Sequence, residues 1–266
     1  IPIKSELNLV LDVQVDNKGV AYMLCRNKVV TGMTGNRSRH ETVLYRVDEQ
    51  GTKACPLVLD SDRFVTSSLM TIAGDGRLTI AGTYGTTEED KKRSSGGFLC
   101  TLGTDGVWGT VVTIDRPHWA VDPKTGTTAG NIMRMNPNTA LFADRSKSKA
   151  ALIEVVALEP LENGGHVLAV QRFRGMDGVG PEQSTQYAEQ LDLEVIWTDV
   201  DGKVTAESLL PMSNEFGRPP ILACTDGNDL TLLVVDDPER CKTPLDERGR
   251  VKHTEKRSAQ VVAVTF

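Results

Sequence analysis

The sequence predicts an all-β chain: four-stranded antiparallel sheets stacked side by side, as a β-propeller or a segment of one. Three observations carry this. Seven stretches share one pattern, alternating apolar residues on either side of a polar turn that ends in Gly, the mark of two half-buried strands joined by a hairpin. The turn glycines stand at 19, 51, 76, 106, 165, 202 and 227, with spacings of 32, 25, 30, 59, 37 and 25. Long and short steps alternate, so two hairpins make one unit. The 59-residue step holds one regular step and an insertion. Finally, the helix-compatible sequence shrinks to residues 131–134 at best.

The units follow in chain order. The first, residues 9–60, holds the hairpins of 13–22 and 44–58. The second, 69–114, holds those of 70–81 and 99–112. Residues 115–150 are the insertion. The third unit, 151–210, holds the hairpins of 153–170 and 195–209. The fourth, 219–266, has one hairpin (221–235) and a third strand (259–266), and is incomplete. All belong to one propeller-like domain, 1–266. A hairpin cannot bury its two faces alone, and stacking sheet on sheet does so.

The turns have a mechanism. Asp or Asn ahead of Gly bonds its own backbone and tolerates tight-hairpin conformations. Asp16-Asn17-Lys18-Gly19 and Asp199-Val200-Asp201-Gly202 are such turns. Asp-x-Asp-Gly also resembles a calcium loop, but no bidentate Glu follows at the right distance, and the turn reading is preferred.

Composition narrows the function. At 266 residues the chain can bury a large core. Its 39% hydrophobic and 25% charged content is that of an ordinary globular protein. A net charge of −6 argues against a general nucleic-acid surface. No apolar run approaches a membrane helix. The chain opens at Ile1 in strand-like sequence, without Met or a signal peptide, which reads as a processed product. Of the five cysteines, Cys25, Cys55, Cys100 and Cys224 lie in strand-like runs and Cys241 does not. Their odd number and wide spacing spell neither a disulfide framework nor a zinc site.

Two phrases carry a family resemblance: Asp75-Gly76-Arg77-Leu78-Thr79-Ile80-Ala81-Gly82-Thr83-Tyr84 and Glu162-Asn163-Gly164-Gly165-His166-Val167-Leu168-Ala169-Val170-Gln171. They resemble β-propeller proteins of bacterial envelopes, in which a strand pair of this kind precedes a long polar loop and a second hairpin. The resemblance covers most of the chain except 115–150. It implies a propeller in an envelope or secreted setting and is nearly silent on activity. Such propellers usually have six or more blades. About four are recognisable here, which implies a partial or unusual propeller, since residues 1–4 make a poor closing strand.

Parity locates the expected working face. In an up-and-down meander, successive connections alternate between the two ends of the strands. The tight Asp-Gly turns are every second connection and share one end. The long connections, 31–41, 86–96, 175–190 and 238–257, share the other with the insertion. Long loops on a rigid scaffold are where binding surfaces lie. The candidate binding-face residues are Arg37, Arg39 and His40 in the first connection, and Arg116, His118 and Trp119 at the start of the insertion. Tyr187 in the third connection and Arg248 and Arg250 in the fourth complete the set. The basic residues would suit an anion or an acidic partner; the plainer reading is solvated loop tips. His118-Trp119 would line a pocket or, more plainly, pack as a loop anchor.

Catalytic readings find no purchase. Thr104-Asp105-Gly106-Val107-Trp108 comes near a sialidase box but lacks the residue between Asp and Gly, and it occurs once. His40, His118, His166 and His253 sit in separate units, so no metal centre is expected. There is no Gly-x-Ser-x-Gly elbow and no phosphate loop. Aromatic content of 5% is low for a stacking surface. No catalytic residue, metal or cofactor is therefore assigned. The expected function is a non-catalytic interaction or scaffold module, with another protein as partner; the alternative is a propeller-type carbohydrate hydrolase or lyase.

Overall fold

The structure, a computed structural model, describes residues 8–31, 37–59, 63–85, 96–103, 106–116, 119, 151–176, 187–212, 221–236 and 260–266. Among these the fold is all-β, in four antiparallel sheets. The first sheet is β1 (Asn8–Val15), β2 (Ala21–Thr31), β3 (Arg37–Asp48) and β4 (Gly51–Leu57). The second is β5 (Phe64–Ile72), β6 (Leu78–Gly85), β7 (Gly96–Leu102) and β8 (Val112–Asp115). The third is β9 (Ala151–Pro160), β10 (His166–Met176), β11 (Tyr187–Thr198) and β12 (Val204–Pro211). The fourth has β13 (Leu222–Asp226), β14 (Asp229–Asp236) and β15 (Gln260–Thr265). Every sheet is a meander in which sequence neighbours pair.

The hairpin turns form where Asp or Asn precedes Gly. The Asp16 carboxylate accepts the N–H groups of Lys18 and Val20, and Asp199 accepts those of Asp201 and Lys203. Seven glycines adopt positive φ, which Gly does without steric cost. One position differs from the sequence reading. At the fifth hairpin Gly164, not Gly165, takes the left-handed conformation, at φ 82°. Gly165 is needed for another reason: a Cβ there would run into the Thr198 carbonyl oxygen of β11. The second sheet also begins five residues ahead of the predicted unit, at Phe64 rather than 69.

The sheets pack face to face in chain order. Leu24, Leu44 and Leu57 of the first sheet meet Met70, Ile80 and Phe98 of the second. The other face of the second, with Ala81 and Leu99, meets Val155, Leu168 and Ile196 of the third. The remaining face of the third, with Val167 and Val195, meets Leu230, Leu232 and Val234 of the fourth. Two sheets are thus covered on both faces and two on one. The sequence obeys this: β6 is buried along its whole length, whereas β13 alternates exposed and half-buried residues.

Backbone stitches join the sheets along their first strands. Asp12 of β1 accepts the Met70 N–H of β5 at 2.8 Å, and Gln14 donates to the Met70 carbonyl at 3.3 Å. Ser67 Oγ of β5 accepts the Val155 N–H of β9 at 3.2 Å. Thr225 of β13 donates to the Pro160 carbonyl of β9 at 3.4 Å. Each bond satisfies a backbone group on an edge strand that no ladder reaches. The register slips by one residue near the stitches in β1 and β5, between Val10 and Asp12 and between Val65 and Ser67.

Candidate binding face at the long-loop end

The meanders place the hairpin turns at one end of the strands and the β2–β3, β6–β7, β10–β11, β14–β15 and β8–β9 connections at the other. The stitches keep neighbouring sheets aligned end for end. Asp12 and Met70 both lie toward the turn ends of their strands, as do Pro160 and Thr225.

The half of the molecule nearer the long connections is where the scaffold buries charge. Arg172 of β10 and Asp192 of β11 are directly paired in the ladder, and the guanidinium grips the carboxylate with two bonds, one of 2.6 Å from Nε to Oδ1. Both residues are buried. Bidentate geometry is what lets such a pair offset its desolvation. Two residues along β11, Glu194 is buried on the same face. It accepts the Trp119 indole N–H at 2.6 Å through Oε2, while its Oε1 stands 3.3 Å from Arg116 Nε. Arg116 also pairs with the exposed Glu207 of β12 through Nη2. On the second sheet, Tyr84 donates to Asp115, and the Arg63 guanidinium lies 4.6 Å above the Tyr84 ring.

Trp119 therefore differs from its place among the candidate binding-face residues. It is 1% exposed and packs in the seam between the second and third sheets with Leu99, Leu158, Leu168 and Ile196. Its backbone N–H closes a turn onto the Arg116 carbonyl at 2.9 Å. Trp119 and Arg116 clamp the entry of the insertion to the scaffold. Arg37, Arg39 and His40 lie in strand β3, paired with Thr31, Val29 and Lys28 of β2, not in a loop. Tyr187 likewise opens β11, opposite Met176. His118, Arg248 and Arg250 lie outside the described residues.

The sequence reading missed Arg172, Asp192, Glu194 and Glu207. Its one available signal misleads. In Leu191-Asp192-Leu193-Glu194-Val195 the acids alternate with apolar residues, which reads as a solvent face. Here that face lies against the second sheet and the acids are neutralised by Arg172, Arg116 and an indole N–H.

The thiols and the described histidine are not set up for nucleophilic or acid–base work. Burial pushes the Cys100 thiol up to about 11, so it is protonated at neutral pH. Burial, helped by the charge of Arg77, lowers His166 to about 4. Cys25, Cys55, Cys100 and Cys224 are free thiols; Cys241 lies outside the described residues. Among the described residues no three His, Cys, Asp or Glu gather as metal ligands, and no helix is long and apolar enough to cross a membrane. Compared with known proteins, the chain matches no family model and no curated sequence.

Proposed function

We propose that the four sheets are blades of a propeller-type arc, and that the protein is a non-catalytic interaction module which binds another protein through its long-loop end. The blade reading rests on contact order: β1 lies against β5, β5 against β9 and β9 against β13. First strands in sequential contact are what an arc of blades around an axis requires. The interaction reading is carried by one observation. The strand order gives one end only tight turns and the other end the long connections, the division expected of a rigid scaffold presenting variable loops. The buried Arg172–Asp192 and Arg116–Glu194 pairs fix the strands that carry those loops. The resemblance of the Asp75–Tyr84 phrase to envelope propellers makes a bacterial envelope or secreted assembly the setting of this proposal.

The carbohydrate-hydrolase alternative would need two carboxylates flanking a bond. The buried Asp192 and Glu194 are already engaged by Arg172, Arg116 and Trp119, so they lend it no support.

The test replaces residues 177–186 and 238–257 with Gly-Ser linkers of equal length and compares cross-linked partners with those of the native chain. Loss of the bound protein at an unchanged melting temperature is the expected result. Retention of the same partner by the double replacement would overturn the reading.

A further inference from the structure

The second and third sheets are covered on both faces, but the first and fourth are each left with one open face, and both open faces are apolar. On the first sheet, Val10, Val13 and Val15 of β1 stand on the face opposite Leu24 and Leu44, with Val13 at 53% and Val15 at 61% exposed. Val13 pairs across to Met23, and Met23 to Tyr45, so the apolar surface continues across three strands. On the fourth sheet, Leu222 is 63% and Val261 71% exposed, and Leu222 is paired with the exposed Leu233. Contiguous exposed apolar surface of this kind marks an association site.

We propose that two copies of this chain close on each other: the open face of the first sheet in one copy packs on the open face of the fourth sheet in the other, at two identical joints. Continuity with the internal packing argues for this occupant. Each internal joint sets one face of a sheet against the opposite-sense face of the next, with first strands in contact. The pairing of fourth sheet with first is the next member of that series, and the surfaces have the same apolar character as the buried ones. A second copy supplies both missing faces at once. The joint is head-to-tail, which gives either a closed ring or an open fibre. Two copies of four sheets make eight, within the range of closed propellers.

Area favours closure over a single contact. The three-stranded fourth sheet limits each joint to about 300 Å² per side, from about 4.8 Å between strands and about 3.3 Å per residue. One joint then buries about 600 Å² in total, the scale of an incidental contact. Two joints bury about 1,200 Å², the lower bound of a specific interface. The proposal uses only the observed order of sheet packing, so its failure leaves the loop-face reading standing.

Light scattering on the purified 266-residue chain at micromolar concentration is the test. The expected mass is twice the 28.9 kDa of one chain. Val13→Asp and Leu222→Asp, one at each end, should each weaken the pair by about 100-fold, since either places an unpaired charge in both joints. Val200→Asp, in an exposed hairpin turn, should leave the mass unchanged. Because Val13 and Leu222 are exposed in the single chain, the variants should keep its circular dichroism spectrum. A monomeric native chain, an open-ended polymer, or a pair that survives both substitutions would each overturn the proposal.

Discussion

Trp119 couples two sheets through one side chain. Its ring fills the seam between the second and third sheets and its N–H ends on Glu194. Removing it leaves both a void and a buried carboxylate short of a donor. Trp119→Ala should therefore cost about 3–5 kcal/mol, read as a lowered urea midpoint. Trp119→Phe keeps most of the ring and loses only the donor, so about 1–3 kcal/mol is expected. Equal losses from the two variants would mean that the ring contributes little. His166 gives a second prediction. Its folded-state value lies near 4, below the ordinary 6.5, because burial disfavours the charged form. Between those values the unfolded chain holds a proton that the folded chain does not. The contribution is present in full above pH 6.5 and is lost as pH falls toward 4, by about 3 kcal/mol in all. Replacing His166 with Gln should remove up to one proton's worth of slope from stability measured between pH 6.5 and 4. An unchanged slope would show that His166 takes up its proton equally well when folded.

Strands covered on two faces should outlast strands covered on one. β6 is buried throughout and β10 is buried from His166 to Arg172, whereas β13 alternates. Local opening free energy follows buried contact, so amide hydrogen exchange should be slowest in β6 and β10 and fastest in β13 and β15. Greater protection in β13 than in β6 would contradict the stacking order. The elements were legible where the chemistry was local. Asp16-Asn17-Lys18-Gly19 and its kin place each hairpin because the turn residues bond their own backbone. Strand ends at the long connections were not legible. Arg37, Arg39 and His40 read as a polar loop, yet their backbone continues the β2–β3 ladder; pairing with a neighbour overrides polarity there. The Phe64 start of β5 was missed because Ser67 and Ser68 interrupt its apolar pattern. Ser67 is there to meet the Val155 N–H, a demand that exists only once two sheets touch.

Across the whole molecule, what the sequence could not express is what joins distant segments. Trp119 and Glu194 stand 75 residues apart, and no pattern within either stretch points to the other. The same holds for Arg116 and Glu207. The order of sheets was legible because it is the order of the chain. The identity of the two sheets left half-covered was not, since Val13 and Leu222 look like any core residue in a strand.

The division between the two ends has a practical consequence. A single thiol placed at Val200, with Cys224 and Cys241 replaced, would sit at the tip of a hairpin turn, remote from every long connection. Immobilised through that atom on a sensor surface, all molecules would stand the same way up with their loops facing the solution, and a screen for ligands of those loops would begin from an oriented, uniform layer.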